Sequence, residues 1–133
     1  MKIILISGPS NSGKTTVINA VFDNLCGGNR KAHNVLVYNA PIGNPIQKDF
    51  EAVVDYKNKK VAFCSMGDYK TYCLDSIVKY AGADVLIMAL NNHFSPILSK
   101  NNIHANNCFP AYLLFKSKNF FASNWVQTII NAI

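Results

Sequence analysis

Short apolar runs alternate with stretches of helical period along the chain. Residues 2–7 (KIILIS) form an apolar run ending at Gly8, with the length and flank of a buried strand. Apolar residues then recur at Val17, Ile18, Val21, Phe22 and Leu25. That spacing predicts a helix over Lys14–Cys26, stopped by Gly27–Gly28. NVLVYN (34–39) predicts a second strand, and APIGNPIQKD (40–49), with Pro41, Gly43 and Pro45, a loop. FEAVVDY and KVAFCSM flank the polar KNK, the pattern of an antiparallel hairpin turning near Asn58. Asp68 to Gly82 places Cys73, Leu74, Ile77, Val78 and Ala81 on one helical face. DVLIMAL (84–90) reads as a buried strand, and the polar stretch 91–109 allows one helical turn from Ser95–Pro96. AYLLF (111–115) predicts a last strand. Asn119–Ile133, with Phe121, Trp125, Val126, Ile129, Ile130 and Ile133, predicts an amphipathic closing helix.

Strands alternating with helices imply a mainly parallel sheet covered on both faces. The expectation is one α/β domain over residues 1–133, built in three layers, with the hairpin as its antiparallel element.

Composition narrows the classes. The chain is 50% hydrophobic, enough to bury a core, and has no charge block or repeat. Its apolar runs are too short to cross a bilayer, and Met1–Ser7 lacks the charged start and cleavage site of a signal peptide. Cys26, Cys64, Cys73 and Cys108 form no C-x-x-C and have no His at metal-ligand spacing. They read as buried free thiols, which suits a reducing cytoplasm. The net charge of +6 favours an acidic partner such as a nucleotide, though abundant Lys, Asn and Ile also follow from an AT-rich genome. Only seven acids exist, so carboxylate chemistry must use Asp23, Asp49, Glu51, Asp55, Asp68, Asp75 or Asp84.

Gly8-Pro9-Ser10-Asn11-Ser12-Gly13-Lys14-Thr15 fits G-x-x-x-x-G-K-[ST], between a predicted strand and a predicted helix. The glycines let the backbone turn so that successive N–H groups point inward. Those donors and the positive helix end make a cradle for a phosphate. Lys14 can reach the β- and γ-phosphate oxygens as a point charge, Thr15 can offer its hydroxyl to Mg²⁺, and Thr16 can add a hydroxyl to the α-phosphate. This stretch resembles the Walker A loop of P-loop NTPases, and GPSNSGKTT is similar to the loops of small P-loop kinases. The resemblance implies ATP, or another nucleoside triphosphate, bound by residues 8–16 together with Mg²⁺.

A phosphate-bound Mg²⁺ wants a second anchor, an acid at the carboxyl end of an adjacent strand. Asp68 is that candidate, as a metal ligand with Thr15 and, beside Lys14, as a catalytic group. Ser65, Met66 and Gly67 separate it from the apolar run, whereas family members place the Asp directly after it. Gly67 could let a main-chain N–H approach the γ-phosphate, and Ser65 could hold a metal-bound water. The competing role for Asp68 is a helix N-cap. Asp84 stands at the amino end of its strand, Asp55 near the hairpin turn, and Asp49 and Glu51 after a loop. Asp49 there is a candidate base or a solvated acid. The hairpin is similar to the one before the second switch of small GTPases. The guanine-reading N-K-x-D is replaced by Leu90-Asn91-Asn92-His93-Phe94, so ATP is the default. Arg30 is the only arginine, far fewer than nucleotide kinases bring; Lys70 and Lys100 are the alternative charges. His93 and His104 have no assigned role. Trp125 and the Phe120–Phe121 pair read as core or an oligomer contact. Basic residues do not interleave with aromatics as in RNA-binding sheets, so nucleic acid is the minor partner reading. Three functions remain open: a Mg²⁺-ATP hydrolase, a kinase moving the γ-phosphate to a small molecule or nucleotide, and a nucleotide-binding, non-catalytic interaction protein, with a small molecule or a protein as the further partner.

Overall fold

A computed structural model describes residues 1–28, 31–39, 49–111 and 124–133. Six strands form one mixed sheet: β1 Lys2–Gly8, β2 His33–Asn39, β3 Phe50–Tyr56, β4 Lys59–Cys64, β5 Val85–Asn91 and β6 Asn107–Pro110. Among the described residues four α-helices accompany them: α1 Lys14–Cys26, α2 Lys70–Lys79, α3 Ser95–Lys100 and α4 Asn124–Asn131. The strand order is β2-β3-β4-β5-β1-β6. Pairings β4·β5, β5·β1 and β1·β6 are parallel, while β2·β3 and β3·β4 are antiparallel. Five strands therefore run one way and β3 alone runs against them.

Side-chain alternation along each strand divides the core between the two faces of the sheet. Ile4 and Ile6 of β1 join Val17, Ile18, Val21 and Leu25 of α1 and Val126, Ile129 and Ile130 of α4. Ile3 and Leu5 join Cys73 and Ile77 of α2 and Leu98 of α3 on the opposite face. β5 is buried at every position from Val85 to Asn91, as a strand covered on both sides must be. Each fully buried Ile or Leu contributes about 1.5–3 kcal/mol by leaving water.

The first strand and helix fall where the periodicity places them. The hairpin does too, pairing Tyr56 with Lys59 across Lys57–Asn58. Both turn residues have positive φ, 49° and 61°, the signature of a type I′ turn whose twist matches the flanking strands.

Four expectations are corrected. The second helix begins at Lys70, not Asp68, and its buried residues are Cys73, Ser76 and Ile77; Val78 is 77% exposed. The last strand is Asn107–Pro110, and Ala111 is no part of it; residues 112–115 of the expected strand lie outside the described residues. Pro110 can end this strand because β6 is a sheet edge, where a missing N–H costs no ladder bond. Trp125 is 39% exposed, which removes the core reading and leaves the oligomer contact, and Cys108 is exposed rather than buried. The Pro/Gly loop from Ala40 to Lys48, Arg30, and the start of the closing helix at 119–123 also lie outside the described residues.

Candidate functional site

The parallel strands bring several segments to their common carboxyl edge. These are the Gly8–Thr15 loop after β1, Ser65–Asp68 after β4, and Asn91–His93 at the end of β5. Because β3 is reversed, its amino end also lies there and delivers Asp49.

The loop turns into α1 at Gly13, whose φ of 94° is a left-handed conformation open to glycine. The first α1 bond runs from Val17 N–H to the Gly13 carbonyl at 2.9 Å, so the N–H groups ahead of it have no acceptor within the helix. No acidic residue stands in the first turn and no side chain caps it. Ser12 folds back over Gly8: a Cβ on Gly8 would lie 2.4 Å from Ser12 Oγ. Ser12 Oγ is buried and has no hydrogen-bond partner among the described residues.

Lys14 is 4% exposed, and its ammonium is turned inward. It donates to the Pro9 carbonyl at 2.7 Å and to Asp68 Oδ1 at 3.0 Å. Asn91 is buried at the end of β5, and its amide donates to Asp68 Oδ1 at 3.1 Å and to Ser10 Oγ at 3.3 Å. Thr15 Oγ1 donates to Asp49 Oδ1 at 2.7 Å and to the Ser65 carbonyl at 3.2 Å. Ser65 Oγ accepts from Phe50 N–H at 2.8 Å, which ties the start of β3 to the end of β4.

Asp68 does not cap α2. Tyr69 holds the N-cap position without a side-chain bond. Nor is β4 next to β1, because β5 lies between them. The three residues after the apolar run resolve this mismatch. Ser65, Met66 and Gly67 carry the chain past the end of β5, where Asn91 N–H donates to the Gly67 carbonyl at 2.8 Å. A Cβ on Gly67 would meet the carbonyl carbon and Cβ of Ala89 at 2.7 Å and Leu90 N at 2.8 Å. Only glycine passes this close to β5, and the passage sets Asp68 beside Lys14.

The structure thus joins Lys14 with Asp68, but joins Thr15 with Asp49 instead. Asp49 is the site residue the sequence reading underrates. Its one signal was its position before a reversed strand, which becomes visible only with the strand order. Glu51 leaves the loop and lies buried in β3, accepting from Tyr72 Oη, from Tyr80 Oη at 2.6 Å and from Lys79 Nζ at 2.7 Å. Asp55 accepts from Asn34 at the far end of the sheet, and Asp84 sits at its amino edge. Lys70 and His93 are exposed. Under the site, burial pushes the Cys73 thiol up to about 12, with the Asp68 charge adding to it.

No three His, Cys, Asp or Glu side chains converge among the described residues, and no helix among them is long and apolar enough to cross a membrane. Compared with protein families, curated proteins and solved structures, the chain matches none.

Proposed function

We propose that the chain is a P-loop nucleotide-binding protein that holds a nucleoside triphosphate, by default ATP, at residues 8–16 and hydrolyses its γ-phosphate. On this reading the sheet with helices on both faces is a three-layer P-loop architecture. The observation that carries it is Lys14, a buried ammonium at the mouth of α1, facing the hollow of the loop. An ammonium so placed sits where phosphate oxygens meet the free N–H groups of a helix end. The orphaned Ser12 hydroxyl and the acid-free first turn suit an anion there.

The residues also fit Mg²⁺, which takes a few hard oxygen ligands and leaves the rest to water and phosphate. The Thr15 hydroxyl and the Asp49 carboxylate would hold it, with Asp68 within the same cluster. When bound, the ion neutralises phosphate charge. Lys14 orients the terminal phosphates, Asn91 holds Asp68 in position, and Asp68 is placed to orient a water. Four unpaired cysteines support a reducing compartment such as the cytoplasm.

Lys14→Ala removes two charge-assisted bonds to phosphate, about 1.5–3 kcal/mol each, so nucleotide affinity falls on the order of 10²- to 10⁴-fold. A thermal-shift panel of ATP and GTP with and without Mg²⁺ reads this. Phosphate release without an acceptor then separates hydrolase from kinase and from binding alone. Unchanged affinity in Lys14→Ala would remove the assignment.

A further inference from the structure

The opposite, amino edge of the sheet carries a second concavity of about 680 Å³. It is lined by Lys31, His33, Asp55, Asn58 and Asp84 together with the hairpin lysines Lys57, Lys59 and Lys60. Four lysines face two aspartates, a net of +2 with His33 neutral. Neither aspartate forms an ion pair with a lysine of this set. Asp55 Oδ2 accepts from Asn34 Nδ2 at 2.7 Å, and Asp84 Oδ2 accepts from the Lys60 backbone N–H at 2.7 Å. Among the described residues, the ion pairs within 4.0 Å involve Lys14 and Lys79 and none of these four. Three of the ammonium groups rest on partners other than these aspartates: Lys31 on Asn24 Oδ1 at 3.4 Å, Lys59 on the main-chain oxygen of Ile133 at 2.8 Å, and Lys57 5.2 Å from the centre of the Tyr56 ring. All four are exposed.

The backbone adds a second observation. Lys57 takes the first turn position with φ of 49°, where glycine or asparagine is the unstrained choice. A left-handed residue with a side chain costs roughly 1–2 kcal/mol. A long cation is thus held at the rim of the concavity against a local preference.

We propose that this edge binds the phosphate backbone of a nucleic-acid strand without reading its bases. Lysines are point charges that suit phosphate oxygens. Among the described residues no Phe, Tyr or Trp lines it, and His33 is its one ring, so bases find little stacking platform. The site faces away from the nucleotide loop, so both can be filled together.

The test is fluorescence anisotropy with a labelled 20-nucleotide oligothymidylate at 50–200 mM KCl. Four phosphate contacts give a slope of log affinity against log salt of about −3. The combined variant Lys57→Gln, Lys59→Gln, Lys60→Gln flattens that slope by about 2 and weakens binding roughly tenfold or more at 50 mM salt. Lys100→Gln and Lys14→Ala leave both unchanged. Absence of binding at 50 mM salt, an unaltered slope in the triple variant, or loss in Lys14→Ala would each overturn the proposal. So would equal competition by polyglutamate of matched charge, which would assign the edge to acidic peptides.

Discussion

Asp68→Asn separates the two charges that meet Lys14. On the proposed function, a polyphosphate arriving without metal finds the ammonium already committed to a carboxylate at 3.0 Å, and that carboxylate repels it. Asparagine keeps the size of the side chain and its place beside Asn91 while removing the charge. Exposed ion pairs contribute about 0–1 kcal/mol, and breaking a fully buried one costs about 3–5 kcal/mol. Here Lys14 is 4% exposed and Asp68 34%, so the pair lies between these limits, at about 1–2 kcal/mol after solvent screening. That energy opposes metal-free binding in the wild type. The variant therefore binds triphosphate in EDTA about 5–30-fold more tightly. In Mg²⁺ the proposed function predicts the reverse order, because the variant would lack a carboxylate near the proposed metal, with turnover falling further than affinity. The assay is titration of a fluorescent nucleotide in EDTA and in Mg²⁺ at equal ionic strength, with circular dichroism melts to confirm folding. Weaker binding by the folded variant in EDTA would show that Asp68 does not compete with phosphate for Lys14.

Two further outcomes follow from close packing and from buried thiols. Gly67→Ala forces a methyl group against the β5 backbone at Ala89–Leu90, costing about 1–3 kcal/mol in urea unfolding and displacing Asp68. Wild-type stability in that variant would contradict the close passage. Burial pushes the Cys64 and Cys73 thiols from 9.0 to about 12. The fold keeps them protonated while the unfolded chain releases their protons above about pH 9. Their contribution is full below that pH and is lost as pH rises toward 12. Stability thus falls by about 1.4 kcal/mol per thiol between pH 8 and 10, read by urea titration. The slope should flatten in Cys64→Ala, Cys73→Ala, and an unchanged slope would place its origin elsewhere.

Local signals in the chain sufficed for the elements whose cause is local. An apolar run, a glycine-bounded polar turn and a helical stripe from Val17 to Leu25 specify β1, the loop and α1 through neighbours a few residues apart. Lys57–Asn58 between two β-branched runs specifies the hairpin for the same reason. The loop's own members, Gly8 to Thr15, were therefore legible as a unit. Its surroundings were not. Which strand lies beside β1, which acid faces Thr15, and whether Asp68 caps a helix or pairs with Lys14 depend on residues 34 or more positions apart. Placing β5 between β1 and β4, and reversing β3, decided all three. Burial of both faces of β5 demands that central position, yet nothing within β5 names its neighbours. Pro110 and the short β6 were hidden likewise, since only a sheet edge tolerates that proline. Short-range stereochemistry wrote the cradle, and long-range strand order chose the charges that stand around it.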